Sequence, residues 1–216
     1  DAGASATQTF TVNVANTNDG PVASAQIADQ AATEDSGFAF TVPASSFTDV
    51  DVGDHLAYTA TLADGSALPA WLTFDPATRT FSGTPGNDDV GQVSVKVTAT
   101  DDAGASATQT FTVSVANTND GPVASAQIAD QAATEDAGFS FQVPANSFTD
   151  VDVGDHLAYT ATLADGSALP AWLTFDPATR TFSGTPGNDD VGSVSVKITA
   201  TDDAGASATQ TFTVSV

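Results

Sequence analysis

Residues 16–115 align with residues 117–216 at a constant offset of 101, with six differences: Ser36/Ala137, Ala39/Ser140, Thr41/Gln142, Ser45/Asn146, Gln92/Ser193 and Val97/Ile198. A duplication this complete constrains the fold more than any composition does, because each copy must bury a core of its own. A unit of about 100 residues is long enough to do so. The expected organisation is a domain over 16–115 and a second over 116–216. Residues 1–15 repeat 102–116 except for Asn13/Ser114. They therefore read as the last strand of a preceding repeat, and the chain as a section of a longer array.

Within one repeat the apolar residues alternate, and nothing recurs at helical spacing. Phe38, Phe40 and Val42 share one face of an extended segment, as do Leu56, Tyr58, Ala60 and Leu62, and Val93, Val95, Val97 and Ala99. Ala107, Gln109, Phe111, Val113 and Val115 form the last such series. Period-two alternation of this kind marks half-buried strands. Pro21 to Gln30 reads as a first strand, with its proline where a strand can begin. Ala31 to Asp35 reads as irregular. Pro43, Asp64-Gly65, Asp75-Pro76, Pro85-Gly86 and the Asp101-Asp102-Ala103-Gly104 hairpin punctuate the rest. About seven short strands per repeat predict an all-β chain of tandem antiparallel β-sandwich domains of immunoglobulin-like type. Trp71, Phe74 and Phe81 fall at core positions and supply most of its apolar area.

Charge is the second constraint. The chain carries 27 Asp and Glu against 4 Lys and Arg, a net charge of −23, and it has no cysteine. This argues against nucleic acid and anionic membrane surfaces as partners. A domain of this size outside the cell often uses disulfides, so another brace is expected. No apolar run is long enough for a membrane helix.

Successive loops of a sandwich alternate between its two ends, which sorts the acidic loops into two groups. Asn16, Asn18 and Asp19 of the linker, Asp49 and Asp51, and the Asp101/Asp102 hairpin share one end. Glu34 and Asn87-Asp88-Asp89 share the other. Stacking of two repeats would bring Glu34, Asp88 and Asp89 toward Asn117, Asn119, Asp120, Asp150, Asp152 and Asp202. Half-sites would remain at the N-terminal end (Asn16, Asn18, Asp19, Asp49, Asp51 and Asp101) and at the C-terminal end (Glu135, Asp189 and Asp190). Carboxylates so placed need a counter-charge. Calcium, which takes six to eight oxygen ligands, suits this mixture of Asp, Asn and Glu. Zinc would need Cys or His, and His55 stands alone in its repeat. Asp29, Asp64 and Asp75 read as ordinary turn residues. Asp35 and Asp54 read equally well as groups behind the ligands or as solvated charge.

Against that background the run Val14-x-Asn16-x-Asn18-Asp19-x-Pro21 resembles the cadherin interdomain linker. Glu34, Asp49-x-Asp51, Asp88-Asp89 and Asp101-Asp102-Ala103-Gly104 resemble its other acidic elements. Leu68-Pro69-Ala70-Trp71-Leu72-Thr73-Phe74-Asp75, continuing to Phe81-Ser82-Gly83-Thr84-Pro85, is similar to bacterial cadherin-like repeats of the dystroglycan or putative Ig type. Those repeats form stalks in large secreted adhesins of the RTX type. Asn16 stands where cadherins carry Asp, and Asp88-Asp89 where they carry Asp-x-Glu. The resemblance implies a Ca2+-rigidified stalk module of an extracellular bacterial surface adhesin or fibre, whose partners are the neighbouring repeats.

The alternative is a carbohydrate- or protein-binding sandwich module, against which the core-like spacing of the aromatic residues counts. An enzyme is not expected: no Gly-x-Ser-x-Gly elbow occurs, and paired catalytic carboxylates duplicated in both repeats would be odd. Residues 1–14 are expected to pair with another molecule by strand exchange or fibre contact, since an apolar strand left open invites pairing.

Overall fold

The computed structural model describes residues 2–216, which divide into two units, the first ending at residue 116 and the second spanning 117–216. In unit 1 the strands are β1 (Val22–Ala23), β2 (Gln30–Thr33), β3 (Phe38–Thr41), β4 (Phe47–Thr48), β5 (Ala57–Leu62), β6 (Leu72–Asp75), β7 (Thr80–Gly83), β8 (Gly91–Thr100) and β9 (Ser106–Ala116). One sheet runs β2-β9-β8-β5 and the facing sheet β3-β7-β6, with β1 and β4 as a separate short pair. Unit 2 repeats the plan with β10 (Val123–Ala124), β11 (Gln131–Ala132), β12 (Phe139–Gln142), β13 (Phe148–Thr149), β14 (Ala158–Leu163), β15 (Leu173–Asp176), β16 (Thr181–Gly184), β17 (Ser193–Thr201) and β18 (Ser207–Ser215).

The alternating residues point inward as their spacing predicts. Val42, Phe81, Val95, Val97, Ala99 and Val113 are fully buried between the sheets of unit 1, and Val143, Phe182, Val196, Ile198, Ala200 and Val214 between those of unit 2. Phe81 sits at the centre, 4.6 Å from Phe74 and 5.6 Å from Phe111 between ring centroids. Trp71 packs edge-on against Phe38 at 6.1 Å and is part of this core.

The start of the repeat departs from the expectation. Pro21 to Gln30 is not one strand: β1 pairs antiparallel with β4, and the chain then crosses so that β2 runs parallel to β9. Ala31–Thr33, expected to be irregular, belongs to β2. The crossover is held by side chains. Gln109 accepts from the Ile27 amide at 3.0 Å and donates to the carbonyls of Ala25 at 3.0 Å and Ser46 at 2.6 Å. Asp29, read as a turn residue, accepts from the Thr112 amide of β9 at 2.7 Å. Nine strands replace the seven expected because this crossover splits the first strand and because β4 adds a two-residue element.

Residues 6–14, expected to be a strand, belong to no strand here, and Phe10, Val12 and Val14 are exposed. Residues 107–115, the same but for Ser114 in place of Asn13, lie in β9 because β2 and β8 flank them. A strand is made by its neighbours, and none is offered to residues 6–14 within this chain.

Candidate metal centre

β8 fixes the two ends of unit 1. It begins beside the short 3-10 turn Asn87–Asp89 and ends at Thr100, next to Asp101. Ten residues of strand separate these points, about 33 Å at the usual rise. The acidic loops therefore divide into two groups, as their order along the chain predicts.

The Asp101 end is the more elaborate. Asp51, in the loop before β5, accepts the Asp19 backbone amide at 2.7 Å. Its own amide donates to Asp49 Oδ1 at 2.9 Å, closing a local Asx turn. Asp101 accepts the Ala105 amide at 2.8 Å through Oδ1 and the Asn18 side-chain amide at 3.0 Å through Oδ2. Linker, loop and hairpin are thus tied together by carboxylates that are themselves buried: Asp51 is 8% exposed and Asp101 6%. Single oxygens of Asp49, Asp54 and Asp101 lie within 4.8 Å of one another. Unit 2 repeats the arrangement: Asp120 N donates to Asp152 at 2.8 Å, Asn119 to Asp202 at 3.0 Å, and oxygens of Asp150, Asp152 and Asp155 meet within 4.8 Å.

What these groups lack is donors. Asp49 Oδ2 and Asp54 Oδ2 in unit 1, and Asp150 Oδ2, Asp152 Oδ1 and Asp155 Oδ2 in unit 2, are buried with no hydrogen-bond partner. Buried polar atoms are nearly always satisfied, so a cluster of orphaned carboxylate oxygens calls for a cause. Among the described residues the ion pairs are His55–Asp102 and His156–Asp203, both between exposed side chains, so no Lys or Arg neutralises the cluster. Desolvation, followed by repulsion from Asp102, Asp49, Asp51 and Asp101, raises the Asp54 carboxyl above its ordinary range; Asp155 is raised in the same way. The Asn18 amide holds Asp101 below that range, as Asn119 does for Asp202. A hard divalent cation fits such a donor set, since it would occupy the orphaned oxygens and reverse the repulsion. With neither cysteine nor a buried histidine among the donors, the chemistry suits calcium rather than zinc.

Asp54 and Asp155, which loop order left undecided, fall within these carboxylate clusters. The signal was present in the spacing Asp49-x-Asp51-x-x-Asp54, which can turn three carboxylates toward one point. Asn16 and Asn117 lie exposed at the start of the linkers.

The opposite end is plainer. Glu34 follows β2, and the amide of its neighbour Asp35 donates to the Pro85 carbonyl at 2.8 Å, which brings this turn beside Asn87–Asp89. Asp89 Oδ2 accepts the Gly86 amide at 3.0 Å, and Asp190 accepts that of Gly187 at 2.9 Å. These two carboxylates brace their own turns. Asp88, Asp189 and Glu135 are exposed.

Three comparisons bear on what the chain is. The family model described as "Putative Ig domain" matches residues 20–116 and again 121–216. Over 147 residues, 68% of the chain, it is 35% identical to the serine-rich adhesin for platelets of Staphylococcus aureus strain USA300, and it covers 6% of that adhesin. The counterpart from strain MRSA252 is also 35% identical, with 10% covered, so the chain spans a small part of the curated relatives it matches. Among solved structures, protocadherin gamma C5 EC1-3 aligns with 94% of this chain and 70% of its own at a TM-score of 0.60 and 15% identity. The extracellular cadherin domains 1-5 of protocadherin gamma B2 align with 87% of this chain and 38% of theirs at a TM-score of 0.52 and 18% identity. At these identities the likeness is one of fold. No helix among the described residues is long and apolar enough to cross a membrane.

Proposed function

The chain belongs to the putative Ig domain family, and from that premise we propose that its repeats are spacer modules of an extracellular adhesin, made rigid by calcium. The observation that carries this reading is the set of orphaned, buried carboxylate oxygens at one end of each sandwich. Asn18, Asp19, Asp49, Asp51, Asp54 and Asp101 would hold the ion in the first repeat. Asn119, Asp120, Asp150, Asp152, Asp155 and Asp202 would do so in the second. The ion would supply charge neutralisation and a cross-link between linker, loop and hairpin. From the order of the acidic loops along the chain, we further propose that Glu34, Asp88 and Asp89 of one repeat complete the coordination begun by the next, with Glu135, Asp189 and Asp190 serving a following repeat in the same way. Similarity to a bacterial adhesin and to cadherin ectodomains supports an extracellular setting, where calcium at about 1 mM is enough for sites of the extracellular class.

Small-angle scattering of this chain with calcium and with chelator tests the reading. Calcium is expected to lengthen the particle and narrow its distribution of distances. The variant carrying D49N, D51N, D150N and D152N is expected to match the chelated protein under both conditions. A scattering curve that calcium leaves unchanged would remove the case for a rigidified spacer.

A further inference from the structure

Each sandwich is entered and left through segments that lie side by side and run in the same direction. In unit 1 the chain comes in along residues 25–34 and goes out along residues 109–116 of β9. The two are joined in order along their length. Gln109 accepts the Ile27 amide and donates to the Ala25 carbonyl, both at 3.0 Å. Asp29 Oδ1 then accepts the Thr112 amide at 2.7 Å. The parallel ladder of β2 follows, pairing Gln30 with Val113, Ala31 with Ser114, Ala32 with Val115 and Thr33 with Ala116. The Glu34 amide closes the row on the Ala116 carbonyl at 3.0 Å. Unit 2 keeps the plan. Gln210 joins Ile128 and Ala126, Asp130 accepts the Thr213 amide at 2.7 Å, and Gln131 and Ala132 pair with Val214 and Ser215. There the Ala133 amide ends the row on the Ser215 carbonyl at 2.8 Å.

The shared direction decides how such a row meets a pull. The start of the entry segment and the end of β9 lie at opposite ends of the row. Tension between the two ends of a repeat therefore acts along the row, and its bonds must give way together. The start of the entry segment and the start of β9 lie at the same end, so tension applied between those points would open the row one bond at a time. The side-chain bonds sit where the load enters first. Residues 25–29 belong to no strand, and without Gln109 and Asp29 a pull would reach only the short backbone ladder. Asp29 supplies an ionised acceptor, which makes the stronger kind of hydrogen bond. Gln109 also donates to the Ser46 carbonyl at 2.6 Å, which roots the entry segment in the turn before β4.

We propose that residues 25–34 with 109–116, and residues 126–133 with 210–215, form in each repeat a load-bearing zipper, a shear joint that keeps the module folded under tension along the array. This goes beyond the spacer reading: stiffness keeps a spacer straight, whereas the zipper keeps it from being pulled open. Gln109 and Asp29 are not among the residues of the carboxylate clusters, so the joint stands whether or not calcium stiffens the chain.

Optical tweezers test the zipper on the full chain, in calcium and in chelator. The chain has no cysteine, so a handle can be fixed at one engineered position. Held at its two termini, the chain is pulled along both rows. Held at its N-terminus and at A103C, in the turn between β8 and β9, unit 1 is pulled from one end of its row. Each unit of the end-to-end tether is expected to hold to at least twice the force at which unit 1 opens from the A103C tether at the same pulling rate. At a fixed end-to-end force, D29A/D130A and Q109A/Q210A are each expected to raise the unfolding rate at least fivefold. F74L/F175L, which thins the core on β6 and β15, is expected to raise it less than twofold for an equal or larger loss of urea midpoint. The core is still packed when the row breaks, so its weakening is felt after the barrier. Equal forces in the two geometries, or unfolding rates that follow the urea midpoint alike in all three variants, would overturn the zipper. If Q109A/Q210A does not fold, D29A/D130A, which changes an exposed side chain, decides alone. Forces and rates in the expected order, together with a scattering length that ignores calcium, would sink the rigidified spacer and keep this joint.

Discussion

At the scale of single residues, steric room and a few local bonds decide more than composition does. Gly83 and Gly184 are pressed against the carbonyls of Trp71 and Trp172, so that a Cβ at either position would overlap backbone oxygen. Backbone cannot retreat as a flexible side chain can. G83A or G184A is expected to destabilise its unit by about 2–3 kcal/mol, measured as the shift in urea midpoint of that unit. Asp75 and Asp176 make a different point. The Thr78 hydroxyl and Ala77 amide, and their counterparts Thr179 and Ala178, bond the carboxylates and lower their pKa below the ordinary aspartate range. A carboxyl whose folded pKa is depressed adds stability above its unfolded value of about 3.9 and loses it as pH falls through the lower folded value. The D75N/D176N variant should therefore lie furthest below wild type at neutral pH. Urea midpoints measured from neutral to strongly acidic pH should show the gap closing below about pH 4. A gap that stayed constant would mean that Asn keeps the turn as well as Asp does.

At the scale of strands, the alternation of Phe38, Phe40 and Val42, and of Val93 to Ala99, was enough to place β3 and β8 and to name the buried face. The ends of the sandwich were legible too, because loop order alone sorts the acidic residues into two groups. The crossover from β1 to β2 was not. It depends on Gln109 and Asp29, which bond to backbone more than 80 residues distant in sequence, and such bonds leave no periodic trace. Gln109 was visible only as a polar residue on the inward face of an otherwise apolar strand. Asp54 was undecidable for a related reason: nothing in a loop sequence tells whether its oxygen faces water or other carboxylates. The clamp makes a clear prediction. Replacing Gln109 by Ala leaves the buried Ile27 amide and the Ala25 carbonyl without their partner, while the Ser46 carbonyl keeps the Ser24 amide at 3.0 Å. Q109A should lower the stability of its unit by about 2–3 kcal/mol, and Q210A should act equally on unit 2. Hydrogen exchange should show the amides of Ile27 and Ile128 losing protection in the respective variants while those of β8 and β17 keep it. Uniform loss across the unit would instead mean that the crossover and the sheets open together.

At the scale of the whole molecule, the net charge of −23 is a load that every ion in solution relieves to some degree, and the question is how much of the relief is specific. Monovalent salt screens exposed charge within a Debye length of about 8–10 Å, so sodium chloride alone is expected to raise the melting temperature gradually. The orphaned oxygens of Asp49, Asp54, Asp150, Asp152 and Asp155 are buried, and diffuse screening serves them poorly. A bound cation stabilises the folded state in proportion to the logarithm of its concentration above the dissociation constant. Calcium at about 1 mM should therefore raise the melting temperature beyond what sodium chloride of equal ionic strength achieves. Magnesium, which demands stricter octahedral geometry and sheds water reluctantly, should fall between the two. The two repeats differ at only six aligned positions, so calcium should shift both units together. The D49N/D150N variant should keep the sodium chloride response and lose the calcium excess, because it removes an orphaned carboxylate oxygen from each cluster while changing the total charge only slightly. If sodium chloride of matched ionic strength reproduced the whole calcium effect, the clusters would be ordinary solvated acid, and the feature that sets these sandwiches apart would be their total charge alone.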